Sequence, residues 1–293
     1  MARYPENYRR SKKAAASGVH NVERKAVRGR PSSPSDVPRS AFHAPPSSWE
    51  SVAGWYNEHT SSGGTLIADV VHPGTVRLLA AEPGWKHLDV ACGEGSLSRL
   101  IAKHGVIVEG FDASPSLIQL ATQKAPHGTR YLVADATDFG GLFAPQSFSS
   151  ATCTLALQNI ERFEATIRIL ANVLKPGAPF VFVLNHPCFR IPRQSAWGWD
   201  EARKLQYRRV DKYLSSYSVE ILAHPGANRS VKTFSYHRPL SVYIDVLAKN
   251  GFMVEKMEEW VSNRESKPGG HGKAENIARE EIPMFLAVRS IKK

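Results

Sequence analysis

From Lys86 onward the chain alternates short apolar, β-branched runs with amphipathic stretches, and no other feature restricts its fold as much. Candidate strands lie at His87–Ala91, Val106–Phe111, Arg130–Ala134, Phe148–Leu157 and Pro179–Asn185, with helices near Gly95–His104, Pro115–Lys124 and Glu161–Leu174 between them. This order predicts an α/β fold, a parallel sheet with helices on both faces. Lys175-Pro176-Gly177 stops the third helix and turns the chain into the fifth strand. Residues 187–238 interrupt the alternation with an aromatic and basic insertion large enough to cap a pocket. Within it the pattern predicts a helical turn and then extended chain over Trp197–Tyr217, and a strand over Val231–His237. The alternation resumes with a helix at Leu240–Asn250, stopped by Gly251, and a strand at Phe252–Trp260. A polar, glycine-rich loop over Ser262–Asn276 then leads to a last strand at Pro283–Val288.

Order is expected from about residue 47, so that residues 47–290 form one domain that includes the 187–238 cap. Ser47 or Ser48 can cap a helix carrying Trp49, Val52, Ala53 and Tyr56 at helical spacing. After a Ser61-Ser-Gly-Gly64 break, a second helix is predicted over Thr65–Ala81 with an interruption at Pro73. Residues 1–46 are rich in Ser, Pro, Ala, Arg and Lys and bury too little apolar surface to offset the ordering cost; they read as a disordered basic tail. The net charge is +11, and residues 1–50 hold ten Lys/Arg against four Asp/Glu, so about half of the excess sits there. Nucleic-acid binding through that tail stays open but is not favoured. Its Arg28-Gly29-Arg30-Pro31 lacks the basic flanks that an arginine-based minor-groove contact uses. No apolar run approaches the roughly 20 residues of a membrane-spanning helix, and the first residues have no apolar leader core. Three scattered cysteines are too few for a disulfide framework or a four-ligand zinc site. A cytoplasmic protein with no metal and no membrane contact is the expectation.

The chemistry concentrates where the first strand enters the first helix of the alternation, at Leu88-Asp-Val-Ala-Cys-Gly-Glu-Gly95. Gly93 and Gly95 let main chain approach a ligand where a side chain would collide, and the helix start offers free N–H groups. A Gly-x-Gly at such a junction is shared with dinucleotide-binding folds, but their fingerprint needs a third glycine where this chain has Ser98. Asp112 ends the second strand, 17 residues after Gly95, where a carboxylate can take both ribose hydroxyls of a nucleoside. Asp135 ends the third strand, placed to meet an adenine amino group. Each aspartate alone could be a helix cap. Three acidic residues at three successive strand ends would be costly in a buried sheet that bound nothing.

With Gly110-Phe-Asp-Ala-Ser114, Val133-Ala-Asp-Ala-Thr137, Phe148–Ile160, Leu174-Lys-Pro-Gly177, Tyr236-His-Arg-Pro-Leu240 and Asn250-Gly-Phe252, this motif resembles class I S-adenosylmethionine-dependent methyltransferases of the type found in quinone biosynthesis and other small-molecule pathways. The resemblance covers about residues 49–290. It implies a Rossmann-like seven-stranded sheet of order 3-2-1-4-5-7-6 with the last strand antiparallel, and S-adenosyl-L-methionine as cofactor. Carried over position by position, it places Asp89, Gly93 and Gly95 around the methionine part, with Ala91 in the same cofactor loop. It places Asp112 and Ala113 at the ribose and adenine edge, Asp135 and Ala136 at the adenine, and Ala156 and Leu157 at the sulfonium. Tyr56 is either a lid over the cofactor or simple packing of its helix.

The acceptor is less legible, because an activated methyl donor asks mainly for positioning and exclusion of water. The Asn/Asp-Pro-Pro-aromatic motif of base-amine methylation is absent from Leu157-Gln-Asn-Ile160. Cys188 lacks the companion Pro-Cys pair of cytosine-C5 enzymes and reads as a small loop or pocket residue. A small molecule beneath the cap is therefore favoured, with an RNA or protein target held by the basic tail as the alternative. A binding module with a degenerate site is disfavoured by the intact motif. His186, His237 and Tyr236 are the candidate catalytic groups, and Tyr243 a further pocket residue; a neutral imidazole could take a proton near pH 7. Against this stands a histidine that merely satisfies groups at a strand end. The cap arginines Arg190, Arg193, Arg203, Arg208 and Arg209 could meet an anionic substrate or RNA phosphates, or form a solvated face. Trp197, Trp199, Tyr207 and Tyr213 could pack the cap or stack on a flat acceptor.

Overall fold

A computed structural model of the chain describes residues 49–50, 64–222 and 232–293. The expected tail, Tyr56 and most of the helix predicted from Trp49 lie outside the described residues. Seven strands form the main sheet: β1 (Lys86–Val90), β2 (Ile107–Asp112), β3 (Arg130–Val133), β4 (Ser150–Thr154), β5 (Pro179–Asn185), β10 (Phe252–Trp260) and β11 (Phe285–Lys292). Their order is β3-β2-β1-β4-β5-β11-β10, and β11 runs antiparallel to both neighbours. That is the expected 3-2-1-4-5-7-6 sheet with four strands of the insertion counted in between.

Successive residues of the central strands are buried on opposite faces, which is why this sheet needs helices on both sides. Phe180, Phe182 and Leu184 of β5, with Leu286 and Val288 of β11, face α4 (Phe163–Val173) and α5 (Leu240–Lys249). The alternate residues Val181, Val183, Phe285 and Ala287 face α1 (His72–Leu79) and α2 (Ser96–Ala102). A third helix, α3 (Pro115–Gln123), sets Ile118 and Ala121 against Tyr131 of β3. Each fully buried phenylalanine or leucine of these layers stabilises the fold by roughly 1.5–3 kcal/mol.

Three expectations need correction. The stretch after Trp197 holds no helical turn: β6 (Ser195–Asp200) and β7 (Leu205–Val210) form an antiparallel hairpin. Its period two is hidden in the sequence because charged and aromatic residues share both faces. A second hairpin pairs β8 (Tyr217–Leu222) with β9 (Lys232–His237), and β9 is the strand expected there. The loop expected over Ser262–Asn276 contains the start of a helix, α6 (Gly272–Glu281), whose one buried side chain with a Cβ is Ala278, too faint an apolar stripe to show in sequence. The helix predicted over Thr65–Ala81 is a π-helical turn, Ile67–Val71, followed by α1 with Pro73 in its first turn. The chain is helical straight through, and the turn before the proline widens to i→i−5 bonding, His72 N donating to Ile67 O.

Candidate functional site

The site lies at the C-terminal ends of β1, β2, β3 and β4. Leaving β1, the chain makes a tight loop in which Ala91, Gly93 and Gly95 all take left-handed backbone, with φ of 54°, 57° and 79°. The loop is fastened from within and from the next strand. Gly95 N donates to Cys92 O at 3.0 Å and Cys92 N to Phe111 O at 2.9 Å. Gly93 N donates to Asp112 Oδ2 at 3.0 Å. The acid expected at the ribose thus also sets the shape of the glycine loop.

Beneath the loop runs a buried polar chain that sequence reasoning missed. His87 and Asp89 lie two apart on one face of β1 and pair in register with Ser150 and Thr152 of β4. Ser150 Oγ lies 2.8 Å from His87 Nδ1, His87 Nε2 lies 2.9 Å from Thr152 Oγ1, and Thr152 Oγ1 donates to Asp89 Oδ1 at 2.9 Å. Since the threonine proton goes to the carboxylate, the histidine must donate through Nε2 and accept at Nδ1. Ser98 Oγ closes the chain on Asp89 Oδ2 at 2.5 Å. The residue that excludes a third glycine is therefore a ligand of the first acid. The visible signal would have been the matched polar pairs at 87/150 and 89/152, which need the strand register to be known.

Burial controls the charge states here. Desolvation pushes Asp89 up to about 6, against the Ser98 and Thr152 hydroxyls, which pull it down. Burial raises Asp112 as well, while the N–H groups of Ser114 and Gly93 hold it back. Burial lowers His87 from 6.5 to about 3, so the imidazole is neutral at physiological pH. Below 6.5 the unfolded chain gains a proton that the folded His87 refuses until about pH 3; its contribution is present above 6.5 and is lost as the pH falls through that window. Between pH 7 and 5 the loss amounts to roughly 2 kcal/mol. Urea unfolding at the two pH values is expected to show this difference shrinking by about that amount in His87→Gln. An unchanged difference would mean that His87 is not the titrating group.

The second and third acids keep capacity for a ligand. Asp112 uses one lone pair of each oxygen, on Gly93 N and on Ser114 N at 2.9 Å, and a carboxylate has about four such sites. Asp135 takes Thr137 N at 2.6 Å and Thr137 Oγ1 at 2.8 Å on Oδ1 alone, leaving Oδ2 with no hydrogen bond among the described residues. Ala113 and Ala136 follow these acids, and Ala136 is buried with the core behind β3. This donor and acceptor set fits a nucleoside with two vicinal hydroxyls and an exocyclic amine. Glu50, also missed from sequence, caps the start of α3: it accepts from the Ser114 and Ser116 hydroxyls and from Ser116 N at 3.2 Å. Burial would raise its carboxyl, but these hydrogen bonds prevail and hold it below the ordinary value.

At the end of β4 the chain breaks from the sheet through Leu155, whose φ is 55°, into a short turn over Leu157–Asn159. Ala156 is partly open, whereas the Leu157 side chain is buried in the core, so only its main chain can face a ligand. The acceptor-side candidates do not converge. His186 is buried and has both nitrogens engaged, Nε2 with Glu259 Oε1 at 2.7 Å and Nδ1 accepting from Cys188 N at 3.2 Å. Burial lowers its pKa despite the carboxylate. His237 donates from Nε2 to Tyr213 O at 2.7 Å, and Tyr236, its neighbour on β9, points to the opposite face of the hairpin. Tyr243 packs in the core, 5.0 Å from the Phe163 ring.

Residues 88–182 match the family model described as a methyltransferase domain. The chain is 36% identical over 110 residues to a 2-phytyl-1,4-naphtoquinone methyltransferase of Synechococcus elongatus, across 35% of this chain and 47% of that protein. It is 37% identical over 99 residues to a ubiquinone biosynthesis O-methyltransferase of Coxiella burnetii, across 33% and 42%. The chain thus spans about half the length of the curated relatives it matches. Among solved structures, an S-adenosylmethionine dependent methyltransferase from Mesorhizobium loti superposes with a TM-score of 0.62 at 26% identity, over 78% of this chain and 99% of that one.

Proposed function

Because the chain carries a class I S-adenosylmethionine-dependent methyltransferase domain, we propose that it transfers a methyl group to a small-molecule acceptor, with catalysis chiefly by proximity and orientation. The observation that carries this reading is the single hydrogen-bonded unit made by the glycine loop and Asp112, with Asp135 beside it holding an unused oxygen. When bound, S-adenosylmethionine supplies a methyl group on a positively charged sulfur, a leaving group that needs no further activation. Asp89, Ala91, Gly93 and Gly95 would hold the methionine part, Asp112 and Ala113 the ribose, Asp135 and Ala136 the adenine, and Ala156 with the Leu157 main chain the sulfur end. Tyr56 is proposed as a lid from the segment before the first described helix. The relatives named for quinone methylation support a small acceptor over a macromolecule.

His186 has no nitrogen left for a proton from the acceptor; His237 keeps Nδ1, but catalysis by proximity and orientation asks for no base. Exclusion of water by the 187–238 insertion then becomes the main service of the cap. Residues 1–46 are proposed not to be needed for turnover.

Calorimetric titration with S-adenosylhomocysteine tests the cofactor assignment. Wild type is expected to bind, and Asp112→Ala to bind at least tenfold more weakly, about 1.4 kcal/mol. No binding by wild type, or equal binding by both, would overturn it. A chain lacking residues 1–46 is expected to methylate a phenolic acceptor as fast as the full chain. Loss of that turnover together with loss of salt-sensitive RNA binding would instead favour a macromolecular target.

A further inference from the structure

We propose that the methyl acceptor carries a carboxylate, that Arg238 meets its charge, and that Gln158 accepts a hydrogen bond from a donor on the same molecule. This rests on the methyltransferase reading and names the substrate class for it.

Arg238 joins the cap's last strand to α5 and is only 8% exposed. A guanidinium stays charged at any pH a protein meets, so burial cannot neutralise it as it neutralises His87. Its Nη2 donates to two successive carbonyls, Ile160 O at 3.1 Å and Glu161 O. Its faces lie over the Phe163 ring at 4.7 Å and the Tyr236 ring at 5.3 Å. The Tyr243 hydroxyl lies close enough to share a hydrogen bond with the guanidinium, a neutral partner. None of these is a counter-charge, and among the described residues Arg238 has no ion pair. Nη1 is buried and makes no hydrogen bond of normal geometry. A buried cation left this way is costly unless an anion joins it.

The neighbouring groups identify where that anion would sit. Gln158 is 7% exposed and donates from Nε2 to Leu155 O at 2.8 Å, which fixes its amide and leaves Oε1 buried without a donor. Thr233 Oγ1, on β9, is likewise buried without a partner. Strand β9 packs on the Leu157–Asn159 turn, and Arg238 holds the chain just beyond that turn. Buried polar atoms lacking partners are rare. Here one donor and two oxygens lack them at elements that meet beside Ala156 and Leu157, the positions assigned to the sulfur end. A planar fork with one free N–H edge suits a carboxylate. Oε1 of Gln158 suits an O–H or N–H on the acceptor.

The test uses the full chain saturated with S-adenosylhomocysteine, titrated calorimetrically with 3-hydroxybenzoate and its neutral isostere 3-hydroxybenzamide. Wild type is expected to bind the carboxylate at least tenfold more tightly than the amide. Arg238→Gln should bring the two within about twofold, and Arg238→Lys should restore part of the preference, with S-adenosylhomocysteine affinity unchanged in both. Gln158→Leu should weaken both probes without altering their ratio. If Arg238→Gln does not fold, Arg238→Lys and Gln158→Leu still decide the matter. Equal binding of the two probes by wild type, or binding of neither, would overturn the proposal. Failure of wild type to bind S-adenosylhomocysteine would instead overturn the methyltransferase reading, so the two failures are told apart.

Discussion

Gly95→Ala is expected to cost roughly 2–4 kcal/mol of stability and to weaken S-adenosylhomocysteine binding by more than tenfold. Two effects add at this position. Its φ of 79° is left-handed backbone, which an alanine adopts at a cost of about 1–2 kcal/mol. A methyl group there would also stand 2.5 Å from the Tyr131 hydroxyl and 2.8 Å from Cζ, closer than atoms approach. Tyr131 has little freedom to recede, because the same ring already presses on Gly110, where a Cβ would meet it at 3.0 Å, and packs on Ile118 and Ala121. The loop must then move, and Gly93 with it, away from Asp112. Gly177 supplies the control: its φ is 80° with nothing within 4 Å of an added Cβ. Gly177→Ala isolates the backbone cost, and the excess in Gly95→Ala measures the collision. Chemical denaturation that finds the two variants equally destabilised would show that Tyr131 does not shape the loop. Adding Tyr131→Phe to Gly95→Ala should recover part of the excess by removing the nearest atom.

Thr152→Val is expected to destabilise by about 3–5 kcal/mol, although it changes the shape of the side chain little. The hydroxyl is the middle link between His87 and Asp89, accepting from one and donating to the other. Its loss leaves a fully buried imidazole N–H without an acceptor, costing about 1–3 kcal/mol, and takes from Asp89 one of two hydroxyl donors, a charge-assisted bond of about 1.5–3 kcal/mol. Asp89 should then titrate above its present value of about 6, since one of the two bonds opposing desolvation is gone. Cofactor affinity measured from pH 6 to 8 should accordingly fall more steeply toward acid in the variant than in wild type. A double-mutant cycle with His87→Phe separates the two costs: coupling of less than about 0.5 kcal/mol would show that the chain is not a cooperative unit.

Much of this molecule can be read from local pattern. The 3.6-residue and two-residue periods from Lys86 onward place five parallel strands and their helices within a few residues, because those faces are buried on one known side or on both. The glycine loop is legible because left-handed backbone, as at 93 and 95, favours a residue without Cβ. Asp112 and Asp135 are legible because an acid at a strand end is expensive without a purpose. Of the cap hairpins only β9 was legible in this way; β6, β7, β8 and α6 were not. β6, β7 and α6 bury little, so charged and aromatic residues occupy both faces and no period emerges.

What the sequence by itself determined is the element order and the donor-binding corner: the glycine turn and the acids at successive strand ends follow from short-range rules, whereas the strand order came only with the family resemblance. Only the tertiary structure decided which polar residues act together. His87 meets Ser150 and Thr152 through strand register across 63 and 65 residues, and Arg238 reaches Ile160 and Glu161 across 78 and 77. Only the fold brings these groups into the low-dielectric interior, where an unpaired charge or an open lone pair costs enough to demand a partner. That is the reason the donor side shows in the sequence, while the acceptor side shows only once β9 has closed on the end of β4.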